Sequence, residues 1–243
     1  MASILHKYAD AEAVAQAAAK FIADRITDVL KQQDRFTLAL SGGSTPKRLH
    51  QILAASPYKE QIDWNKLHIF WGDERYVPFE DERNNAKMAF DTLLDHVPVP
   101  KEQIHIMRSD IDPRESAEAY EKILHHYFDG KQHSFDLVIL GMGDDGHTLS
   151  LFPGTEVIYE TEKWCTAFFL KQQDMFRITL TRTIANNASC ILFLTTGTAK
   201  APALKQVLQG EPNPTIYPSQ VINAAHGETI WMVDQAAASL LDG

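Results

Sequence analysis

The sequence predicts an α/β fold: a single domain built on a mostly parallel, doubly wound sheet with helices on both faces. Three observations carry that expectation. Short, largely apolar runs recur at Phe36–Leu40, Leu67–Trp71, Leu137–Leu140 and Cys190–Thr195, as expected of strands buried on both faces. They alternate with segments of helical periodicity, the signature of parallel strands joined by crossover helices. Several runs also end in loops of glycine, hydroxyl and charged residues, and the carboxyl ends of such strands are where an α/β protein gathers a site. The 243 residues contain no linker, repeat or low-complexity tract, so residues 1–243 are read as one domain.

From about Ala9 to Lys31, Val14, Ala17, Ala18, Phe21, Ile22, Ile26, Val29 and Leu30 fall at helical spacing, and the chain is expected to open on this amphipathic helix. Next come strand Phe36–Leu40, helix Pro46–Leu53, strand Leu67–Trp71, and helices Ala86–Leu94 and Pro113–Phe128. Strands Leu137–Leu140 and Arg177–Thr181, helix Thr183–Asn187, strand Cys190–Thr195, helix Ala199–Leu208 and strand Thr229–Val233 complete the order.

The formal net charge of -9 argues against a nucleic-acid partner, whose binding face should be basic. Two cysteines, Cys165 and Cys190, lie in apolar runs as expected core residues, and with no secretory leader apparent they point to a reduced, cytoplasmic setting. No stretch is apolar enough for a membrane span, and no membrane partner is expected. Among the ten histidines none shows metal-ligand spacing; His125 and His126 close a helix, where cations are favoured, so neither metal nor cofactor is assigned.

Four loops are candidates for chemistry. Ser41-Gly42-Gly43-Ser44-Thr45-Pro46 leads from a strand into a helix and reads equally as a phosphate cradle or a tight turn with a cap. Trp71-Gly-Asp73-Glu-Arg75-Tyr-Val77 caps a strand with charges, its plainer reading being a solvated turn. Gly141-Met-Gly143-Asp144-Asp145-Gly146-His147 matches a dinucleotide fingerprint, with Glu160 or Glu162 at the ribose distance, but Pro153-Gly154 follows too soon for the helix that motif needs. Thr195-Thr-Gly-Thr-Ala-Lys200 sets a lysine in a helix's first turn, which the dipole disfavours unless an anion binds nearby. Arg177 opens its strand as a second anion candidate, or as an ordinary exposed arginine.

Together these loops resemble the 6-phosphogluconolactonases, which share a sugar-phosphate superfamily with the glucosamine-6-phosphate deaminases. The resemblance covers nearly the whole chain and rests on Leu40–Pro46, Trp71–Pro78 followed by Asn84 or Asn85, Gly141–Gly154, Arg177–Thr181 and Gly197–Lys200. It implies a Rossmann-like fold of the lactonase and deaminase type. The deaminases resemble Asp-Gly-His-Ile-Ala-Phe-Asn-Glu-Pro, whereas Asp145–Pro153 lacks that glutamate; they also carry Asp-Glu-Tyr where this chain has Asp73-Glu-Arg75. The approach Lys171–Phe176 departs from the proline-rich one of many lactonases.

The substrate so implied is 6-phospho-D-glucono-1,5-lactone, a small-molecule partner for a monomer or small homo-oligomer. His147 is then the expected general base, since histidine titrates near working pH, with Asp145 orienting it as a carboxylate does in a triad. The Gly-x-Ser-x-Gly elbow of acyl-enzyme hydrolases is absent, and no serine nucleophile is required. Arg75 or backbone amides of the glycine loops would meet the oxyanion. Asp73 is expected at the substrate, with Ser41, Gly42, Gly43, Ser44, Lys200 and Arg177 holding the phosphate.

Overall fold

Every residue of Phe36–Leu40 is buried, which requires a neighbouring strand on each edge and cover on both faces. A computed structural model, describing residues 3–242, supplies both. In chain order the strands are β1 (Ile4–Tyr8), β2 (Phe36–Leu40), β3 (Leu67–Trp71), β4 (Asp73–Arg75), β5 (Leu137–Gly141), β6 (Cys165–Leu170), β7 (Met175–Leu180), β8 (Cys190–Thr195) and β9 (Glu228–Asp234). The α-helices are α1 (Ala11–Leu30), α2 (Ser44–Leu53), α3 (Tyr58–Gln61), α4 (Asn85–Ala89), α5 (Pro113–Phe128), α6 (Arg182–Ala185) and α7 (Ala201–Gln209).

Six strands form one sheet in the order β1-β9-β8-β5-β2-β3, every pairing parallel. Alternate side chains point to opposite faces, so each strand feeds two apolar layers. Leu38, Leu40, Ile69, Trp71, Ile139 and Leu192 pack with α1 and α2 on one face. Ala39, Phe70, Val138, Leu140, Ile191 and Phe193 pack with α5 on the other. Helix α1 begins where Asp10 accepts from Ala13 N at 2.8 Å, and α5 where Asp112 accepts from Arg114 N and Pro113 sits in the first turn. Tyr120 of α5 fastens that helix to the end of β3, its hydroxyl accepting from Trp71 N at 2.8 Å.

The strand and helix order expected from the sequence is present, with four corrections. The chain opens on strand β1 rather than a helix; β1 lies at the sheet edge, largely exposed, and shows no apolar periodicity to betray it. The segment from Arg177 is not part of the parallel sheet: β7 pairs antiparallel with both β4 and β6 in a separate three-stranded sheet. The unexpected β6 joins β7 through a turn at Lys171–Gln173, with Asp174 at φ 49° closing it, so the segment that departs from the lactonase pattern is a hairpin bend. The expected helix Ala86–Leu94 is α4 continued by a π-helical turn, Phe90–Leu94.

Glu74, in β4, is buried and accepts from Arg75 N, Asn85 N and Ala86 N at 2.7–2.8 Å, so it closes the start of α4 from outside the helix. Burial dominates its titration and pushes the carboxyl up to about 7, against the three N–H donors. A raised folded-state pKa favours the native state at low pH. The stabilisation is complete below the ordinary glutamate pKa and is lost as pH rises through about 7. Glu74→Gln should remove this component, flattening the urea-derived stability profile between roughly pH 4.5 and 7; an unchanged slope would show that Glu74 titrates normally.

Candidate active site

From β2 the chain passes through α2 to β3 on one side, whereas from β5 it proceeds to β8 and β9 on the other. The loops after β2 and β5 therefore diverge, opening the crevice where α/β sheets bind ligands. Within it, Thr45 and Thr196 share a hydroxyl–hydroxyl bond of 2.9 Å, tying the Ser41–Pro46 turn to the Thr195–Lys200 turn. Gly43 and Ser44 are exposed at the start of α2, whose first turn carries no side-chain cap. Lys200, in the turn Thr198–Lys200 ahead of α7, is in none of the ion pairs among the described residues. A short helix start with unfilled N–H groups and an unpaired ammonium suit an anion.

After β5 the chain turns through Met142–His147 with no helix following, so the dinucleotide reading fails, and Glu160 spends its carboxylate on Glu162 N and Lys163 N. His147 Nδ1 lies 2.6 Å from Asp145 Oδ1, which also accepts from His147 N at 3.0 Å. Burial works against the Asp145 charge, but the His147 bonds outweigh it and hold that carboxyl below its usual range. Because an ionised carboxylate only accepts, the proton of this contact lies on Nδ1, which in a neutral ring leaves the lone pair on Nε2. The surrounding backbone is pinned: Gly143 N donates to His147 O at 2.8 Å, and Ser219 N and Oγ both donate to Gly146 O. Position 143 requires glycine, since a Cβ there would lie 2.1 Å from His147 Nδ1.

The small antiparallel sheet presents a polar face to the same crevice. Asp73 stands opposite Thr179, and Arg75 opposite Arg177, so these four side chains share one side of the pleat. Asp73 Oδ2 accepts from Ser150 Oγ at 2.6 Å, Arg177 Nε donates to Ser150 Oγ at 3.0 Å, and Arg177 Nη2 lies 3.6 Å from Asp73 Oδ2. Arg177 is therefore not an exposed strand-start arginine; it is 3% exposed, and burial lowers its pKa while Asp73 opposes the shift. Arg75 donates to Arg83 O at 2.8 Å, while its Nε is buried without a partner.

The residues after His147 hold this loop in place. Leu149 has φ 54°, a conformation unfavourable for a residue with a side chain. It is accommodated beside Gly72, where a Cβ would lie 2.7 Å from Leu149 Cδ2. Phe152 then stacks on the His147 ring, centroids 4.1 Å apart, with the Arg177 guanidinium 5.4 Å from its own centroid.

Ser150 and Phe152 escaped the sequence reading, although a serine inside the apolar Leu149–Phe152 run is a signal that a buried polar partner exists. Of the two asparagines, Asn84 caps α4 through Lys87 N, whereas Asn85 donates to Asp73 O at 2.9 Å and packs against Gly42. Asp144 is exposed, and none of the ion pairs among the described residues includes it. Both cysteines are buried, with desolvation driving Cys190 up to about 11 and Cys165 higher still. Among the described residues no group of three or more His, Cys, Asp or Glu could hold a metal, and no helix could cross a membrane. A cleft of about 840 Å³ lies at the opposite, amino-terminal end of the sheet, where Arg25 and Asp136 are committed to protein partners.

A family model for glucosamine-6-phosphate isomerases/6-phosphogluconolactonase matches residues 9–231. The 6-phosphogluconolactonase of Nostoc sp. strain PCC 7120 is 41% identical over 224 residues, covering 90% of each chain. That of Haemophilus influenzae is 39% identical over 204 residues, covering 84% of this chain and 87% of the other. The solved structure of 6-phosphogluconolactonase from Trypanosoma cruzi superposes with a TM-score of 0.85 at 27% identity, over 100% of this chain and 99% of that one. The family match runs from before α1 into β9 and takes in every loop around the crevice, so the chain belongs to the glucosamine-6-phosphate isomerase/6-phosphogluconolactonase family.

Proposed function

We propose that residues 1–243 act as one sugar-phosphate lactonase domain, hydrolysing 6-phospho-D-glucono-1,5-lactone to 6-phospho-D-gluconate in the oxidative branch of pentose phosphate metabolism. The observation that carries the reading is the Asp145–His147 pair at the switch-point crevice, whose 2.6 Å contact through Nδ1 leaves Nε2 of the neutral ring as the basic nitrogen. His147 Nε2 takes a proton from water as the water oxygen bonds to the lactone carbonyl carbon. The tetrahedral oxyanion is met by Arg75 and by backbone amides of the glycine loops. Collapse breaks the bond to the ring oxygen, and His147 returns its proton there, leaving a free hydroxyl and a carboxylic acid that ionises to the carboxylate and releases its proton to solvent.

Asp73, with one carboxylate oxygen held by Ser150, is suited to accept from a substrate hydroxyl through the other. The phosphate contact falls to Ser41, Gly42, Gly43, Ser44 and Lys200, while Arg177, with Nε spent on Ser150, balances the Asp73 charge. A deaminase would need the ring-opening glutamate, and that position of the motif holds Phe152. A cytoplasmic setting belongs to the same reading.

The deciding assay follows proton release from the phosphorylated lactone, with spontaneous opening subtracted. The expected result is catalysed opening and no ammonia from glucosamine 6-phosphate; the reverse pattern would replace lactonase by deaminase. Lys200→Ala should raise KM roughly ten- to hundredfold, the equivalent of about 1.5–3 kcal/mol for a charge-assisted phosphate contact. An unphosphorylated lactone should be almost indifferent, and equal damage to both substrates would move the phosphate site elsewhere. His147→Gln should lower kcat by about 10²–10⁴-fold with little effect on thermal stability or phosphate-ligand binding. The acid limb of the kcat profile should vanish in that variant; near-normal turnover with the limb intact would make Asp144 or Asp145 the next candidate base.

A further inference from the structure

We propose that Phe152 is a positioning residue for the catalytic imidazole, holding the plane of His147 from behind while the buried Arg177 guanidinium fixes Phe152 in turn. The proposal rests on His147 acting as the base in lactone opening. Phe152 is 5% exposed yet belongs to neither of the two apolar layers that flank the parallel sheet. Two polar groups of the site lie against its ring instead. The His147 ring stacks on it at 4.1 Å between centroids and 23° between planes, and Arg177 Cζ lies 5.4 Å from its centroid.

The geometry explains why a second restraint is needed. Asp145 grips the imidazole through one side-chain bond, Nδ1 to Oδ1 at 2.6 Å, and a single hydrogen bond at one edge of the ring limits rolling about Cβ–Cγ without abolishing it. Rolling would swing Nε2 away from the water it must deprotonate, and misplacement of a reacting atom by an ångström is enough to slow catalysis. A flat, immobile surface under the ring removes that motion. Phe152 is immobile because its support is: Arg177 Nε is held by Ser150 Oγ at 3.0 Å, and Ser150 Oγ by Asp73 Oδ2 at 2.6 Å. The turn is closed behind them by Leu151 N donating to Thr148 O at 2.9 Å. A chain of contacts thus runs from Asp73 through Ser150, Arg177 and Phe152 to His147, linking the small antiparallel sheet to the base.

The test compares Phe152→Leu and Phe152→Met, which keep an apolar side chain without an aromatic face, with Phe152→Tyr, which keeps the face. Stacking places the His147 ring protons in the shielding region of Phe152, so their NMR resonances should be shifted upfield in the unsubstituted protein. In Leu and Met variants that remain folded, that shift should disappear and kcat should fall roughly three- to tenfold, the factor equivalent to one aromatic contact, while KM changes less than about twofold. Phe152→Tyr should restore both kcat and the resonance positions. Parent kcat in a folded Leu variant would overturn the proposal, as would a loss of kcat with the His147 resonances unmoved. Unfolding of both the Leu and Met variants would make Phe152 a core residue and overturn it equally. If the unsubstituted protein fails to open the lactone, the functional reading falls instead, a result distinguishable because the NMR comparison needs no turnover.

Discussion

The parallel pairing of β2 with β5 is the constraint on which everything at the crevice depends. It is short, with Leu38 opposite Leu137 and Ala39 opposite Val138, and it is the seam where the chain's path across the sheet reverses. Its register is locked at the amino end by Asp136, whose carboxylate accepts from both Thr37 N and Thr37 Oγ1 while its own N–H donates back to Thr37 O. A slip of either strand by one residue would turn its inward leucine, Leu38 or Leu137, from the α1 and α2 layer to the α5 layer and misface every side chain of that strand. With the register set, the loops after Leu40 and Gly141 leave side by side at the same end of the sheet, one carrying the glycine turn and the other the histidine.

The antiparallel sheet makes a different contribution. It delivers Asp73, Arg75 and Arg177 on one face against the Thr148–Phe152 segment, and so places charges in a region largely closed to water. Removing an arginine and an aspartate from water costs several kcal/mol per ion unless geometry and hydrogen bonds compensate. Here Ser150 Oγ supplies the link, donating to Asp73 and accepting from Arg177. The opposing face of the same strand carries Glu74 to the start of α4, fixing Asn84 and Asn85 and, through Asn85, the edge of the glycine turn. One three-residue strand thus sets the geometry of two loops.

Much of this was legible from local pattern. The runs Phe36–Leu40 and Leu137–Leu140 announced buried parallel strands because burial on both faces demands unbroken apolar sequence. His147 stood out because a histidine between glycines and carboxylates at a strand end has few structural uses. Lys200 stood out because a helix start is an unfavourable place for an unpaired cation. Strand β1 gave no such signal, since an edge strand exposed at most positions has neither an apolar run nor strict alternation to reveal it. Nor did β4, whose Asp-Glu-Arg reads as a solvated turn until β7 is brought alongside to complete its ladder.

What the sequence determined by itself was the class of fold, the carboxyl-end loops and the residue types at the crevice, because hydrophobic period, glycine turns and charge all act over a few neighbouring residues. Only the tertiary structure decided how those groups are paired. It buried Arg177 beside Asp73 through Ser150, brought Phe152 against both Arg177 and His147, assigned the cap to Asn84 and the brace to Asn85, and bridged Thr45 to Thr196. The physical reason is one of range. A side chain's burial and partners are fixed by segments tens to more than a hundred positions away, and that information resides in the packing of the sheet rather than in any local stretch of chain.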